Sequence, residues 1–176
     1  MFCALCRPSA STLIEEVARF QLHFDNKLPH NFFSDREIKA EDGMPIRIVI
    51  RDINSNEIIS CGPFSSLKIR IVALDGEFGA DGRGWTKDEF LQNIKSERKD
   101  KKPLLTGALN ISLSNGVGHI LDAKFTDNSS WTKNGFRLGA MVCEDGSLDE
   151  RVREAISETF KVKDCRVECK FSLFSS

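Results

Sequence analysis

Apolar residues alternate with polar ones in stretch after stretch of this chain. "FQLHFD" sets Phe20, Leu22 and Phe24 on one side and Gln21, His23 and Asp25 on the other. "IRIVIR" repeats the pattern with Ile46, Ile48 and Ile50, and "LKIRI" with Leu67, Ile69 and Ile71. Further on come "LNISLS", "LDAKF" (Leu121, Ala123, Phe125), "FRLGAMV" (Phe136, Leu138, Ala140, Val142), "FKV" and "VECKF" (Val167, Cys169, Phe171). Alternation of this kind means strands with one buried and one wet face. Asn115-Gly116, Asp42-Gly43, Asp75-Gly76, Asp81-Gly82, Asn134-Gly135 and Asp145-Gly146 punctuate the runs, and such pairs tolerate the positive φ of tight turns. No strand–helix–strand rhythm appears. The pattern predicts a mainly β protein, an immunoglobulin-like antiparallel β-sandwich with one or two short helices. It rests on strands and turns alone, because tyrosine is absent and no antibody-type cysteine–tryptophan spacing occurs.

The chain of 176 residues has the length of one domain, enough to bury roughly 70% of its unfolded surface without staples. The sequence divides into an N-terminal segment 1–19, a sandwich over 20–172 and a tail 173–176. "WTKDEFLQNIK" predicts a helix capped by Thr86, with Glu89 closing a capping box, Trp85 and Phe90 placed as a hydrophobic staple, and Phe90, Leu91 and Ile94 on its buried side. "SLDERVREAI", with Ser147 and Glu150 at capping-box spacing, predicts a second. In "STLIEEVARF", Leu13, Ile14 and Val17 have helical spacing.

A net charge of −1 offers no global attraction for nucleic acid or membrane, so an anionic partner must meet a local patch. One candidate follows the first helix. Lys95, Arg98, Lys99, Lys101 and Lys102 face only Glu97 and Asp100 over eight residues. Two readings stand side by side: a solvated basic loop at a helix C-terminus, or lysines and arginines that displace counterions from a phosphate backbone. Lys133 and Arg137, around the "WTKNGFR" turn, form a second basic cluster, and Arg151 with Arg153 a third.

Enzyme chemistry is not expected. The histidines His23, His30 and His119 fall in separate segments, and no phosphate loop, nucleophile elbow or HExxH is present. No cofactor or metal is expected either. "DGEFGADGRGW" has the acidic look of a calcium loop, but Ala80 stands where the sharp-turn glycine belongs and Thr86 where the bidentate glutamate belongs. A calcium- and lipid-binding sandwich is the reading such a loop leaves open. The cysteine pairs Cys3/Cys6 and Cys165/Cys169 could share a zinc only by joining the two chain ends, so reduced thiols are expected. No apolar run reaches the ~20 residues of a membrane span or the core of a signal peptide, which predicts a soluble intracellular protein.

Several motifs together resemble one family. "NKLPHNFF", "EDGMPIRIVIRD", "GPFSSLKIRIVALDGEF", "WTKDEFLQNI", "RKDKKPLLTG", "LSNGVG", "FTDNSSWTKNGFRLGA" and "RVREAISETFKVKD" occur in an order similar to that of the N-terminal β-domain of the plant calmodulin-binding protein 60 family. The resemblance runs from about Phe20 to Asp164 and leaves "MFCALCRPSA" unmatched. It implies a nuclear, plant-specific regulator of transcription that binds double-stranded DNA, acts in pathogen defence and salicylic-acid synthesis, and is linked to calcium and calmodulin. A/T-rich promoter elements are the implied targets, and calmodulin the implied protein partner, usually through a segment outside this β-domain. Family members are much longer, so the resemblance implies a short or truncated member. The resemblance assigns no DNA contact. Lys95, Arg98, Lys99, Lys101, Lys102, Lys133 and Arg137 are candidates by charge and loop placement alone. The alternative is a protein-interaction module that binds calmodulin or full-length relatives without touching DNA.

Overall fold

A computed structural model of the protein describes residues 18–96, 102–143 and 151–166. The alternating segments form strands. They are β1 (Phe20–Phe24), β2 (Asn31–Phe33), β3 (Ile46–Asp52), β4 (Lys68–Asp75), β5 (Leu105–Gly107), β6 (Asn110–Ser112), β7 (Val117–Ile120), β8 (Ala123–Phe125) and β9 (Phe136–Val142), then β10 (Val152–Arg153), β11 (Ala155–Ile156) and β12 (Lys161–Lys163). The helix α1 (Lys87–Gln92) lies between β4 and β5. Two four-stranded sheets, ordered β10-β1-β3-β7 and β11-β9-β4-β6, make a sandwich, and the pairs β12-β2 and β5-β8 flank it. Most ladders are antiparallel; β1–β10 and β2–β12 are parallel. The architecture is the mainly β one that the alternation predicts.

The core lies between the sheets. Leu22, Ile46, Ile48 and Ile50 from one sheet and Ile69, Ile71, Leu138 and Ala140 from the other belong to a single buried cluster. Four phenylalanines fill one end of it. Phe125 stacks on Phe136 with centroids 5.8 Å apart, and Phe160 meets Phe125 at 5.6 Å and Phe32 at 4.7 Å, both edge-on. Each such pair adds about 0.5–1.5 kcal/mol beyond its burial. The four rings come from β2, β8, β9 and the residue before β12, so they fix those segments to one another.

Asn115 and Gly116 form the expected two-residue turn, with φ of 52° and 80°. Ser114 and Val117 exchange hydrogen bonds across it (2.8 and 3.1 Å). Its arms serve different sheets: β6 pairs with β4 and β7 with β3. A side chain at Gly116 would meet the Ile59 carbonyl oxygen at 2.2 Å, so glycine is required by space as well as by φ.

The capping box of α1 is present. Thr86 Oγ1 accepts from the Glu89 amide (3.1 Å), and Glu89 Oε2 accepts from the Thr86 amide (2.7 Å). Phe78 stands between the two staple residues, 5.8 Å from Trp85 and 6.1 Å from Phe90. Three expectations are corrected. Leu91 is 42% exposed, because a six-residue helix presents one narrow side to the sheet and Phe90 occupies it, with Ile94 packed beside Leu74 after the helix ends. Leu121 is exposed too, since it falls in the turn before β8 while Ala123 and Phe125 point inward. The second helix is not formed over 152–156, which are strands β10 and β11. Val152 pairs with Phe20 and Ala155 with Ala140, so edge positions in both sheets override the local capping signal. Residues 144–150, "STLIEEV" and "VECKF" lie outside the described residues.

Candidate nucleic-acid interface

The loop 126–135, between β8 and β9, organises the end of the sandwich beneath the phenylalanine cluster. Thr126 Oγ1 donates to the Pro103 carbonyl (2.6 Å), and its amide to that of Leu104 (2.9 Å). Ser129, which is buried, docks on β12: its amide donates to Val162 O (2.8 Å), and its hydroxyl accepts from the Val162 amide (2.9 Å). Thr132 Oγ1 donates to Ser129 O (2.9 Å) and accepts from the Gly135 amide (3.1 Å). Trp131 lies 5.6 Å from Phe136, edge-on. Through these bonds one loop holds the segment after Lys102, the turn carrying Lys133, and strand β12.

Lys102 and Lys133 are exposed, and each belongs to this assembly: Lys102 precedes Pro103, and Lys133 lies in the loop itself. Strand β12 adds Lys161 and Lys163, exposed on either side of buried Val162. Lys161 Nζ donates to the Lys133 carbonyl (3.1 Å), and Lys163 O accepts from the Ser34 amide (2.9 Å). Among the described residues none of these four lysines is held in an ion pair. A charge scan for basic runs passes over Lys161 and Lys163 because a valine separates them. The signal that finds them is the strand itself, since "KVK" in a half-buried strand puts both lysines on the wet face.

The other candidates are placed differently. Lys95 makes an ion pair with Asp75 (3.5 Å). Arg98, Lys99 and Lys101 lie outside the described residues, although the Leu104 amide donates to Ser96 O (2.9 Å) and so closes the base of their segment. Arg137 turns into the protein. Its Nε donates to Gly76 O (3.0 Å) and its Nη1 to Ser157 O (2.8 Å). Burial holds its pKa below the usual arginine value, with Glu158 opposing.

Of the three carboxylates in the acidic loop after β4, Asp75 and Asp81 are engaged and Glu77 is exposed. Asp75 pairs with Lys95, Asp81 with Arg83 (2.9 Å), and Glu89 closes the capping box. The Arg83 amide, then its side chain, holds the Asp81 carboxyl below its ordinary pKa. Among the described residues no three histidines, cysteines or carboxylates gather as a metal site would need, and no helix is long and apolar enough to cross a membrane.

The family model "Calmodulin binding protein-like N-terminal domain" matches residues 20–165, a stretch that includes both sheets, the phenylalanine cluster and the four lysines. The chain belongs to this calmodulin-binding protein-like family. Calmodulin-binding protein 60 B of Gossypium hirsutum is 45% identical over 165 residues, covering 92% of this chain and 29% of the relative. Calmodulin-binding protein 60 G of Arabidopsis thaliana is 40% identical over 168 residues, covering 94% of this chain and 29% of the relative. Protein SAR DEFICIENT 1 of Arabidopsis thaliana is 39% identical over 150 residues, covering 84% of this chain and 32% of the relative. The chain thus spans about three tenths of the length of these family members.

Proposed function

We propose that this domain binds double-stranded DNA through the end of the sandwich where Lys102, Lys133, Lys161 and Lys163 are tied to one loop. The observation that carries the reading is that tie. Among the described residues the four lysines have no ion-pair partner, and the backbone that carries them is fixed by the loop's hydrogen bonds, so their attachment points are already set when a phosphate backbone arrives. Arg98, Lys99 and Lys101 stay candidates by their charge alone, and Lys95 is held by Asp75. Arg137 serves the fold instead. The setting proposed is a nuclear regulator of transcription in plant pathogen defence and salicylic-acid synthesis, with A/T-rich promoter elements as targets. A cation entering a narrow A/T minor groove would add preference to the phosphate contacts. The role is binding rather than catalysis, in keeping with the relatives' names.

The test is fluorescence anisotropy on an A/T-rich duplex and a scrambled one across a salt titration. Four phosphate contacts predict a log–log salt slope of about −3.6. Lys161→Glu with Lys163→Glu, or Lys102→Glu with Lys133→Glu, should each flatten it by about half. Absence of binding at low salt, or an unchanged slope in both double variants, would overturn the reading.

A second reading draws on the names of the relatives, which are calmodulin-binding proteins. In it the domain binds calmodulin or full-length relatives and couples the DNA function to calcium, or acts without DNA. Calcium-dependent retention on immobilised calmodulin, with no duplex binding, would put this reading first.

A further inference from the structure

Leu91, which the helical pattern assigns to the core, stands exposed at the rim of a groove of about 490 Å³ on the outer face of the second sheet. The groove lies where the edge of β4 changes partner. Ile71 N donates to Leu109 O (2.8 Å), next to β6, while Ala73 O accepts from Lys95 N (2.8 Å), beyond α1. The two neighbours diverge and leave a notch. Val72 and Met141 form its floor, Leu91 and Ile94 one wall, and Pro103 and Leu109 the other. Its volume falls within the roughly 300–1,000 Å³ usual for ligand sites.

Among the described residues the charge lining this apolar trough has one sign. Arg70 and Lys95 line it, and among the described residues no carboxylate does. Asp75 holds Lys95 at 3.5 Å, but Arg70 has only a 3.5 Å contact to Asn110 Oδ1 and, among the described residues, no carboxylate partner. A phosphate backbone would use the cations and leave the apolar floor empty. A second copy docked about a two-fold axis would bring Arg70 toward its own mate. A peptide with apolar side chains among carboxylates satisfies both features.

We propose that this groove docks an acidic amphipathic segment of a partner protein. Its apolar residues sit on Val72 and Met141 against Leu91, and its carboxylates face Arg70 and Lys95. This is an i, i+3, i+4 mode of recognition. The site is separate from the lysines of β12 and does not depend on DNA binding.

Selection of displayed random dodecapeptides on the intact chain, counter-selected on the Leu91→Asp variant, tests it. Leu91 is already exposed, so the variant should fold, and circular dichroism checks this. Peptides with two or more apolar residues among aspartates and glutamates should be enriched. A synthetic copy of the leading peptide should lose about ten-fold in affinity or more on Leu91→Asp, and again on Arg70→Glu. It should also shift the amide resonances of Ile94 and Met141. Anisotropy on the duplex should be the same for Leu91→Asp as for the parent, which separates failure here from failure of the DNA reading. No enrichment, enrichment of basic peptides, or equal binding to Leu91→Asp would overturn the proposal. Self-association that Leu91→Asp abolishes would give the groove to a second copy, and duplex-induced shifts at Ile94 and Met141 would give it to DNA; either result also overturns it.

Discussion

Replacing Arg137 with alanine should destabilise the domain by about 2 kcal/mol and leave the salt slope of the proposed DNA binding where it was. The side chain donates to Gly76 O and Ser157 O at 3.0 and 2.8 Å. Hydrogen bonds from a charged donor contribute about 1.5–3 kcal/mol each. The two losses are unequal, however, because Thr159 Oγ1 also donates to Gly76 O (3.1 Å) and would remain. Ser157 O loses its guanidinium donor outright. Release of a half-buried cation to water offsets part of the cost. For a domain of this size about 2 kcal/mol corresponds to a melting temperature lower by roughly 4–8 °C. Urea denaturation should show a lower midpoint at constant m, the mark of a stability change without altered compactness. The opposite pattern would refute the placement of Arg137 in the fold. That pattern is a stability within about 0.5 kcal/mol of the parent, together with a salt slope smaller by about 0.9, the share of one phosphate contact.

Three further outcomes are expected. Gly116→Ala should cost at least about 2 kcal/mol, because its Cβ would sit 2.2 Å from Ile59 O, whereas Gly43→Ala, with similar φ but open space, should cost about 1 kcal/mol or less; equal melting temperatures for the two would contradict the close approach. Thr86→Ala removes the cap of α1 and should cost about 1 kcal/mol, read as faster exchange of the Glu89 amide, which would otherwise stay protected. His23 is held below its ordinary pKa of 6.5 by burial and then by Arg51, with Asp25 opposing. The unfolded chain therefore takes up the proton first, so stability should fall as pH drops below about 6.5 toward the folded-state value, then level off. His23→Gln should flatten that part of the profile, and an unchanged profile would acquit His23.

The strands that could be read directly were those whose own residues alternate. Leu22, Ile48, Ile71 and Leu138 sit inward in the structure as their spacing demands. The cap of α1 was legible for a similar reason, since Thr86 and Glu89 satisfy each other within four residues. Strands β10 and β11 were not legible, because what holds them extended is Phe20 and Ala140, distant in sequence, while Ser147 and Glu150 nearby spell a helix. The basic end divides in the same way. Lys102 and Lys133 announce themselves by turns and charge. Their attachment to one loop depends on Thr126 and Ser129, whose bonds to Pro103 and Val162 no spacing reveals. Arg137 shows the limit of counting charges, for a sequence displays a cation but not the direction it faces.

Glu154 marks the place where one short segment leaves the first sheet at Arg153 and joins the second at Ala155. A ribosome releases Phe20 long before it releases these residues. At about 5–20 residues per second, the intervening stretch of some 130 residues takes roughly 7–26 s to appear. Until then β1 and β9 each wait with an open flank, and the nascent chain carries two unfinished sheets at once. The few residues around Glu154 then complete both together, so the domain should mature in a single late step, and a nascent chain stalled ahead of Val152 should need a chaperone in a way that one stalled well past Ile156 does not.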